Sequence, residues 1–199
     1  MLIAIEGCFG AGKTTVASGL ALRRNSKLLL EDFESNPFLS AFYENPTANA
    51  FETEFSFLLL HFHQLKSHVR AVANSEVISD FHLAKDLLYA ELNLNDVRAK
   101  GLFRNLYELC LEKTLDPGLI VYLSAPTELL IERIQSRNRD FESAIDFAYC
   151  STVNNAYEAF FQRHTGKKIR VPMEEWDFLK DPTLYQRLSA LIDGVLDTK

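Results

Sequence analysis

The chain has 199 residues, of which 47% are hydrophobic and 24% charged, a composition that predicts one globular domain over residues 1–199 and excludes a disordered chain. Its 27 acidic residues outnumber its 21 basic ones, which leaves a formal net charge of −6. Because nucleic acids are held mainly through positive charge, we expect no nucleic-acid partner.

The predicted elements alternate between short apolar runs and longer helical patterns, which favours an α/β fold with a parallel sheet. In chain order, the five predicted strands are residues 2–6, 27–30, 76–80, 119–123 and 168–171. The predicted helices are residues 13–24, 37–43, 48–73, 86–92, 96–115, 126–136, 141–164 and 182–196. Continuous apolar runs within the strands are typical of a sheet that is covered on both faces.

The cysteines and the apolar stretches indicate the compartment. Cys8, Cys110 and Cys150 are widely spaced and odd in number, so we predict neither a disulfide framework nor a zinc site. The most apolar stretch, residues 55–60, is far shorter than the roughly 20 residues that span a membrane. Residues 1–5 lack the basic flank and cleavage site of a signal peptide. We therefore expect a cytoplasmic protein without a membrane partner.

The predicted long helix is unusually apolar. Residues 51–65 (FETEFSFLLLHFHQL) are hydrophobic around much of the helix, so more than one side must be covered. Either the core of the same chain or a second copy of the chain could cover the additional side.

A phosphate-binding loop is the strongest signal in the sequence. Residues 7–14 read GCFGAGKT, which matches GxxxxGK[ST] between a predicted strand and a predicted helix. Glycines let backbone N–H groups approach phosphate oxygens, while the lysine contacts the β- and γ-phosphates and the threonine hydroxyl binds Mg²⁺. The predicted nucleotide-binding residues are Gly7, Cys8, Phe9, Gly10, Ala11, Gly12, Lys13, Thr14 and Thr15.

Other features narrow the class of phosphate-loop protein. The guanine-reading NKxD pattern of GTPases is missing from the sequence, and the chain is short for a motor ATPase or a transporter. A small-molecule kinase fits better, because Arg133, Arg137 and Arg139 follow an apolar helix and can form a lid, about residues 133–142, over the phosphates. The alternative for these arginines is a solvated helix face.

Three stretches together resemble the deoxynucleoside kinase family. IAIEGCFGAGKTTVA resembles the family's opening, LLLEDFESNPFLSAFYENP its acidic strand end and following helix, and RIQSRNRDFES its lid. The resemblance implies a three-layer nucleoside-kinase-like fold with a five-stranded parallel sheet. It also implies transfer of the γ-phosphate of ATP, with Mg²⁺, to the 5′-hydroxyl of a deoxynucleoside, and a homodimer formed through the long helices.

The resemblance assigns catalytic roles to two carboxylates and reveals one departure. Glu31 matches the carboxylate that accepts the proton of the 5′-hydroxyl, and Asp80 the acid on the magnesium side. Most members follow this acid with Arg-Ser, whereas this chain has Phe81 and His82, so an arginine beside the catalytic carboxylate is missing. We hypothesise that Lys85 supplies its charge.

The resemblance also implies a substrate site. Tyr43 and Glu142 match the residues that contact the sugar 3′-hydroxyl, and Glu54 takes the place of a base-reading glutamine, with His61 and Asp86 beside the base. An ionised carboxylate only accepts hydrogen bonds, and guanine offers two adjacent donors, so we predict a purine, deoxyguanosine first. A protonated Glu54 would instead act like a glutamine.

Residues 171–182 resemble the family's loop over the adenine of the donor. Trp176 and Phe178 are therefore candidates for ATP binding, although they could equally cap the core before the last helix.

Two rival functions stay open. A nucleoside monophosphate kinase of the thymidylate type needs additional cations for an acceptor that already carries phosphate, yet residues 31–86 contain Arg70 as their sole arginine. A catalytically impaired nucleotide-binding partner subunit is the second rival, because of the missing arginine.

Overall fold

The computed structural model describes residues 1–137 and 145–198, except for the side chains of residues 69–74. The strands are β1 (Leu2–Glu6), β2 (Lys27–Leu29), β3 (Val77–Ser79), β4 (Leu119–Ser124) and β5 (Lys168–Pro172). The helices are α1 (Lys13–Arg24), α2 (Leu39–Glu44), α3 (Pro46–Asn74), α4 (Ala84–Asn93), α5 (Val97–Leu111), α6 (Thr127–Arg137), α7 (Phe147–Arg163) and α8 (Thr183–Asp197). A 3₁₀ turn covers Phe33–Ser35.

The strands form one parallel sheet in the order β2-β3-β1-β4-β5. All five residues of β1 are buried, and Ile3 pairs with Ile78 on one side and with Leu119 on the other. The predicted five-stranded α/β fold is thus confirmed. After β1, the chain first builds the β2–β3 side of the sheet and then crosses to the β4–β5 side. In parallel sheets of this kind, ligands bind at the carboxyl end of the strand where the direction changes, which here is β1.

Helices cover both faces of the sheet. One apolar cluster joins Ile3 and Ile5 to α1 and α8, and a second joins Leu2 and Val77 to α3, α4 and α5. Since side chains alternate along a strand, Glu6 lies on the same face as Leu2. The last side chain of the central strand is therefore directed toward the layer that contains α3 and α4.

Helix ends account for most differences from the predicted elements. The long helix begins at Pro46, two residues early, because Asn45 caps it by accepting a hydrogen bond from the Ala48 N–H at 3.2 Å. The helix predicted to reach residue 115 ends at Leu111, and Pro117 restricts the backbone of Asp116 beyond that end. Asp146 caps α7, so that helix begins at Phe147. Residues 141–144 of the predicted helix lie outside the described residues.

In the part of the chain that the structure describes, no helix is both long and apolar enough to cross a membrane.

Candidate active site

The phosphate-binding loop connects β1 to α1 in a tightly packed turn. Gly10 and Gly12 have φ angles of +81° and +93°, in the left-handed region that favours glycine. A Cβ atom on Gly10 would lie 2.8 Å from the carbonyl oxygen of Leu130 in α6. The Lys13 Nζ donates hydrogen bonds to the carbonyl oxygens of Gly7 at 2.8 Å and Cys8 at 3.2 Å. The lysine thus lies across the loop, where phosphate oxygens would meet it.

Asp80 braces the loop against the neighbouring strands. It follows β3, where the Ser79 hydroxyl accepts a hydrogen bond from the Phe81 N–H and turns the chain. The Thr14 hydroxyl donates to Asp80 Oδ2 at 2.6 Å, and the Glu31 backbone N–H donates to Oδ1 at 2.7 Å. One carboxylate therefore holds the magnesium-side threonine and the catalytic candidate in fixed relation.

The donor set suits Mg²⁺ that arrives with a nucleotide. Among the described residues, no group of three or more His, Cys, Asp or Glu side chains could hold a metal ion. Mg²⁺ commonly takes one or two protein oxygens and completes its shell with phosphate oxygens and water. The adjacent oxygens of Thr14 and Asp80 fit that requirement.

A pocket of about 550 Å³ opens beside the loop and brings most of the predicted residues together. The predicted side chains on its wall are Phe9, Lys13, Thr14, Thr15, Glu31, Tyr43, Glu54, Asp80, Lys85, Asp86 and Arg137. They come from the phosphate loop and the start of α1, from the segments after β2 and β3, and from helices α2, α3, α4 and α6. Arg139 and Glu142, also predicted for the site, lie outside the described residues.

Glu31 sits between two cations. Lys85 Nζ lies 2.6 Å from its Oε2, and His61 Nε2 lies 3.2 Å from its Oε1. Burial alone would raise the pKa of Glu31, but the charges of Lys85 and His61 outweigh burial and hold that pKa well below its usual range. Both contacts therefore favour the ionised form of Glu31.

His61 does not lie where the sequence predicts it. Its side chain is 0% exposed and is not on the pocket wall, because the ring of Phe57, which does line the pocket, stacks on it at 5.4 Å. Its Nδ1 lies 2.7 Å from Asp86 Oδ1. Burial would lower the pKa of His61, yet Asp86 and Glu31 raise it to about 9. His61 is thus a buried cation that positions Glu31 from behind, and a direct contact with the base is the wrong interpretation.

Phe81 occupies the position of the missing arginine as a core residue. It is fully buried, and its ring lies 4.8 Å from that of His61. Lys85, the second residue of α4, instead places a positive charge beside Glu31. This geometry agrees with the hypothesis that Lys85 takes the arginine's place.

Asn93, Tyr149 and Glu6 are polar residues on or near the pocket wall that were not predicted from the sequence. Asn93 and Tyr149 line the pocket, where Asn93 Nδ2 donates to Glu54 Oε1 at 2.7 Å and the Tyr149 hydroxyl donates to Asn93 Oδ1 at 3.3 Å. No motif marks either residue. Glu6, by contrast, could have been found from the sequence, because it is an acidic residue at the end of an apolar strand directly before the loop.

Glu54 and Glu6 are both buried carboxyl groups. Burial raises the pKa of Glu54 to about 8, against the lowering effect of the Asn93 hydrogen bond. Burial also raises the pKa of Glu6 to about 8, although Lys85 and Lys13 lower it. Neither oxygen of Glu6 has a hydrogen-bond partner among the described residues.

The remaining predicted residues lie around the loop. Arg133 donates to the carbonyl oxygens of Ala11 and Met173, at 3.4 Å each, and so joins α6 to the loop and to the segment after β5. Trp176 and Phe178 are each 4% exposed and belong to the apolar core, and neither lines the pocket. Their burial favours the core-capping interpretation over contact with adenine.

Comparison with known proteins identifies the family. The family model described as deoxynucleoside kinase matches residues 3–197. The chain belongs to the deoxynucleoside kinase family. Its members are phosphotransferases that act on an alcohol group, and the deoxynucleoside kinase fold accounts for the placement of the loop and pocket.

Two curated relatives are similar along most of the chain. The deoxyguanosine kinase of Bacillus subtilis is 30% identical over 201 residues, which cover 98% of this chain and 97% of the relative. The deoxyadenosine kinase of Dictyostelium discoideum is 29% identical, over 90% of this chain and 74% of the relative. Among solved structures, deoxyadenosine kinase from M. mycoides with the products dCMP and dCDP has the same fold, with a TM-score of 0.84, 24% identity, and coverage of 98% of this chain and 100% of that chain.

Proposed function

We propose that this deoxynucleoside kinase transfers the γ-phosphate of ATP, bound with Mg²⁺, to the 5′-hydroxyl of deoxyguanosine, with deoxyadenosine as the second candidate. The observation that carries the proposal is the convergence of Lys13, Thr14, Asp80 and Glu31 on one pocket whose wall also holds Glu54. The first four serve phosphoryl transfer, and Glu54 serves base selection.

The charges around Glu31 define its part in the reaction. A carboxylate with so low a pKa is a poor proton acceptor early in the reaction, but it can accept the hydrogen bond of the 5′-hydroxyl and aim the oxygen at phosphorus. Phosphoryl transfer has a loose transition state, so positioning contributes more than early proton removal. The proton passes to Glu31 as the new bond to phosphorus forms, while Lys13 and Lys85 supply positive charge nearby.

The pocket suits an acceptor without a phosphate group. Between residues 31 and 86, Lys85 is the one described lysine or arginine on the pocket wall, and it is engaged by Glu31 at 2.6 Å. Nucleoside monophosphate kinases need free cations there to bind the acceptor's phosphate. This feature favours a deoxynucleoside over a deoxynucleotide as acceptor.

Guanine is the base that best matches Glu54 in its ionised form, which predominates above the pKa of about 8. The carboxylate can accept from the adjacent N–H groups on the base edge, whereas adenine presents a ring acceptor at the equivalent edge. The deoxyguanosine kinase of Bacillus subtilis, similar over nearly the whole chain, supports the same choice.

Phosphate transfer from ATP with Mg²⁺ to each of the four deoxynucleosides, and to dTMP and dAMP, tests the proposal. We expect deoxyguanosine to be the best acceptor and Glu31→Gln to abolish most of the transfer. Pure pyrimidine preference would contradict the base assignment. Nucleotide binding without transfer to any acceptor would favour a catalytically impaired partner subunit.

A further inference from the structure

The pocket wall around Glu54 holds a chain of three hydrogen-bonded side chains. Tyr149 of α7 donates through its hydroxyl to Asn93 Oδ1 at 3.3 Å, and Asn93 Nδ2 donates to Glu54 Oε1 at 2.7 Å. The Tyr149 ring stacks on Phe9 of the phosphate loop at 6.0 Å. Glu54 itself is 3% exposed. The chain of contacts thus runs from the α7 and loop side of the pocket to a buried carboxyl group.

The direction of these hydrogen bonds matters. Because Tyr149 donates to the amide oxygen, the amide nitrogen of Asn93 is the atom that faces Glu54. An N–H group can donate to the carbonyl oxygen of a carboxylic acid, but it stabilises a carboxylate more strongly and so favours the ionised form of Glu54. We propose that Asn93, oriented by Tyr149, is a specificity-determining residue that presents Glu54 to the base as a hydrogen-bond acceptor.

The other charges near Glu54 do not make this contact redundant. Asp86 of α4 disfavours its ionised form, whereas Lys85 of α4 and His61 of α3 favour that form. Both cations, however, already face Glu31 at 2.6 and 3.2 Å. Among the described residues, the Asn93 amide is the neighbour that donates a hydrogen bond directly to Glu54. Its removal should therefore shift Glu54 toward the protonated form.

This inference rests on the proposed use of Glu54 for base selection, and its test separates the two. Asn93→Leu removes the amide at similar volume, Asn93→Asp replaces the donor with a second acid, and Tyr149→Phe removes only the hydroxyl. Asn155→Leu and Asn155→Asp repeat the changes at an exposed residue of α7 that is not on the pocket wall. Binding of deoxyguanosine and deoxyadenosine is measured by calorimetry between pH 6 and 9, beside steady-state transfer.

For the wild type, we expect deoxyguanosine affinity to rise with pH as Glu54, whose pKa is about 8, ionises. Asn93→Leu and Asn93→Asp should weaken deoxyguanosine binding at pH 7 by about 10- to 100-fold, the effect of a hydrogen bond to a charged group. The affinity for deoxyadenosine should stay the same or increase, because a protonated Glu54 can donate a hydrogen bond to a ring nitrogen of adenine. The rise in deoxyguanosine affinity should also move to higher pH. Tyr149→Phe should give a smaller change in the same direction, and the Asn155 variants none.

Two results would overturn the inference. One is an unchanged ratio of deoxyguanosine to deoxyadenosine affinity in both the Asn93 and Tyr149 variants. The other is an equal loss for both nucleosides with an unchanged pH profile, which would mean a merely structural role. Because binding is read independently of transfer, a protein that transfers to no acceptor would contradict the proposed function while the affinity ratio still decides the role of Asn93.

Discussion

At the scale of single residues, Lys85 is the side chain that we propose supplies the charge of the missing arginine. Its Nζ lies 2.6 Å from Glu31 Oε2, and the residue is 9% exposed. We predict that Lys85→Ala lowers kcat by about 100-fold, since the cation that holds Glu31 in place is lost and misplacement of a catalytic group has an effect of that order. Steady-state kinetics with the best deoxynucleoside measures the change.

Two variants make the Lys85 prediction specific. Lys85→Arg keeps the charge and should recover part of the lost kcat. Lys100→Ala removes a lysine of α5 that contacts Glu91 outside the pocket, at 4.0 Å, and should leave kcat unchanged. Undiminished turnover in Lys85→Ala would contradict the hypothesis.

Glu6 should make the stability of the fold depend on pH. Its pKa is about 8 in the folded protein, chiefly because burial disfavours the charge, against 4.5 in an unfolded chain. Between these values the folded state holds a proton that the unfolded state releases, so this residue's contribution to stability falls as pH rises from 4.5 to 8. We predict that Glu6→Gln raises the melting temperature relative to wild type more at pH 9 than at pH 6.

Glu158 is a control residue, because its pKa is shifted in the direction opposite to that of Glu6. The hydrogen bonds from Arg170 lower its pKa, with Nη1 at 2.8 Å from Oε2, so it is ionised in both states above pH 6. Glu158→Gln should therefore change the melting temperature by the same amount at pH 6 and pH 9. An equal effect of Glu6→Gln at the two pH values would show that Glu6 does not titrate in this range.

At the scale of elements, the phosphate loop depends on backbone that glycine alone adopts readily. Gly10 combines a φ of +81° with a hypothetical Cβ only 2.8 Å from the Leu130 carbonyl oxygen. Gly10→Ala should destabilise the fold by about 1 to 3 kcal/mol and weaken nucleotide binding, because the loop must move away from α6. Urea unfolding and nucleotide titration measure both effects.

Gly101 in α5 is the matched control. A Cβ on Gly101 meets nothing within 4 Å, and its backbone is helical. Gly101→Ala should therefore stabilise the protein by about 0.5 to 1 kcal/mol, through the loss of backbone freedom in the unfolded chain. Equal effects of the two substitutions would contradict this account of the loop.

At the scale of the whole molecule, the exposed apolar side chains of α3 and α5 support the proposal of a homodimer. Phe51 and Leu59 of α3 are 45% and 50% exposed, and Leu102 and Leu109 of the adjacent α5 are 54% and 55% exposed. Covering such a surface with a second copy would remove its apolar area from water. We predict a dimer in sedimentation equilibrium, converted to monomers by Leu59→Glu. A wild-type protein that stays monomeric across the micromolar range would refute it.

Local patterns were enough to predict the sheet and the phosphate loop. Each strand is a continuous apolar run, and the loop is a contiguous motif whose glycines, lysine and threonine act through their own backbone positions. For the sheet and the loop the information lies within a few adjacent residues, so no knowledge of packing is needed. The roles of Asp80 and Glu31 were predicted through the resemblance to the family, and the structure brings the two together where β2 and β3 end.

Packing between distant segments decided the remaining features. His61 became a buried cation because α4 brings Asp86 to one ring nitrogen while the end of β2 brings Glu31 toward the other. Asn93 and Tyr149 entered the site because α4 and α7 pack together, although 56 residues separate them in the chain. The sequence by itself determined the fold and the phosphate end of the pocket, whereas tertiary structure decided which charges neutralise one another. The physical reason is that burial and electrostatic interactions depend on three-dimensional distance, which the order of residues does not specify.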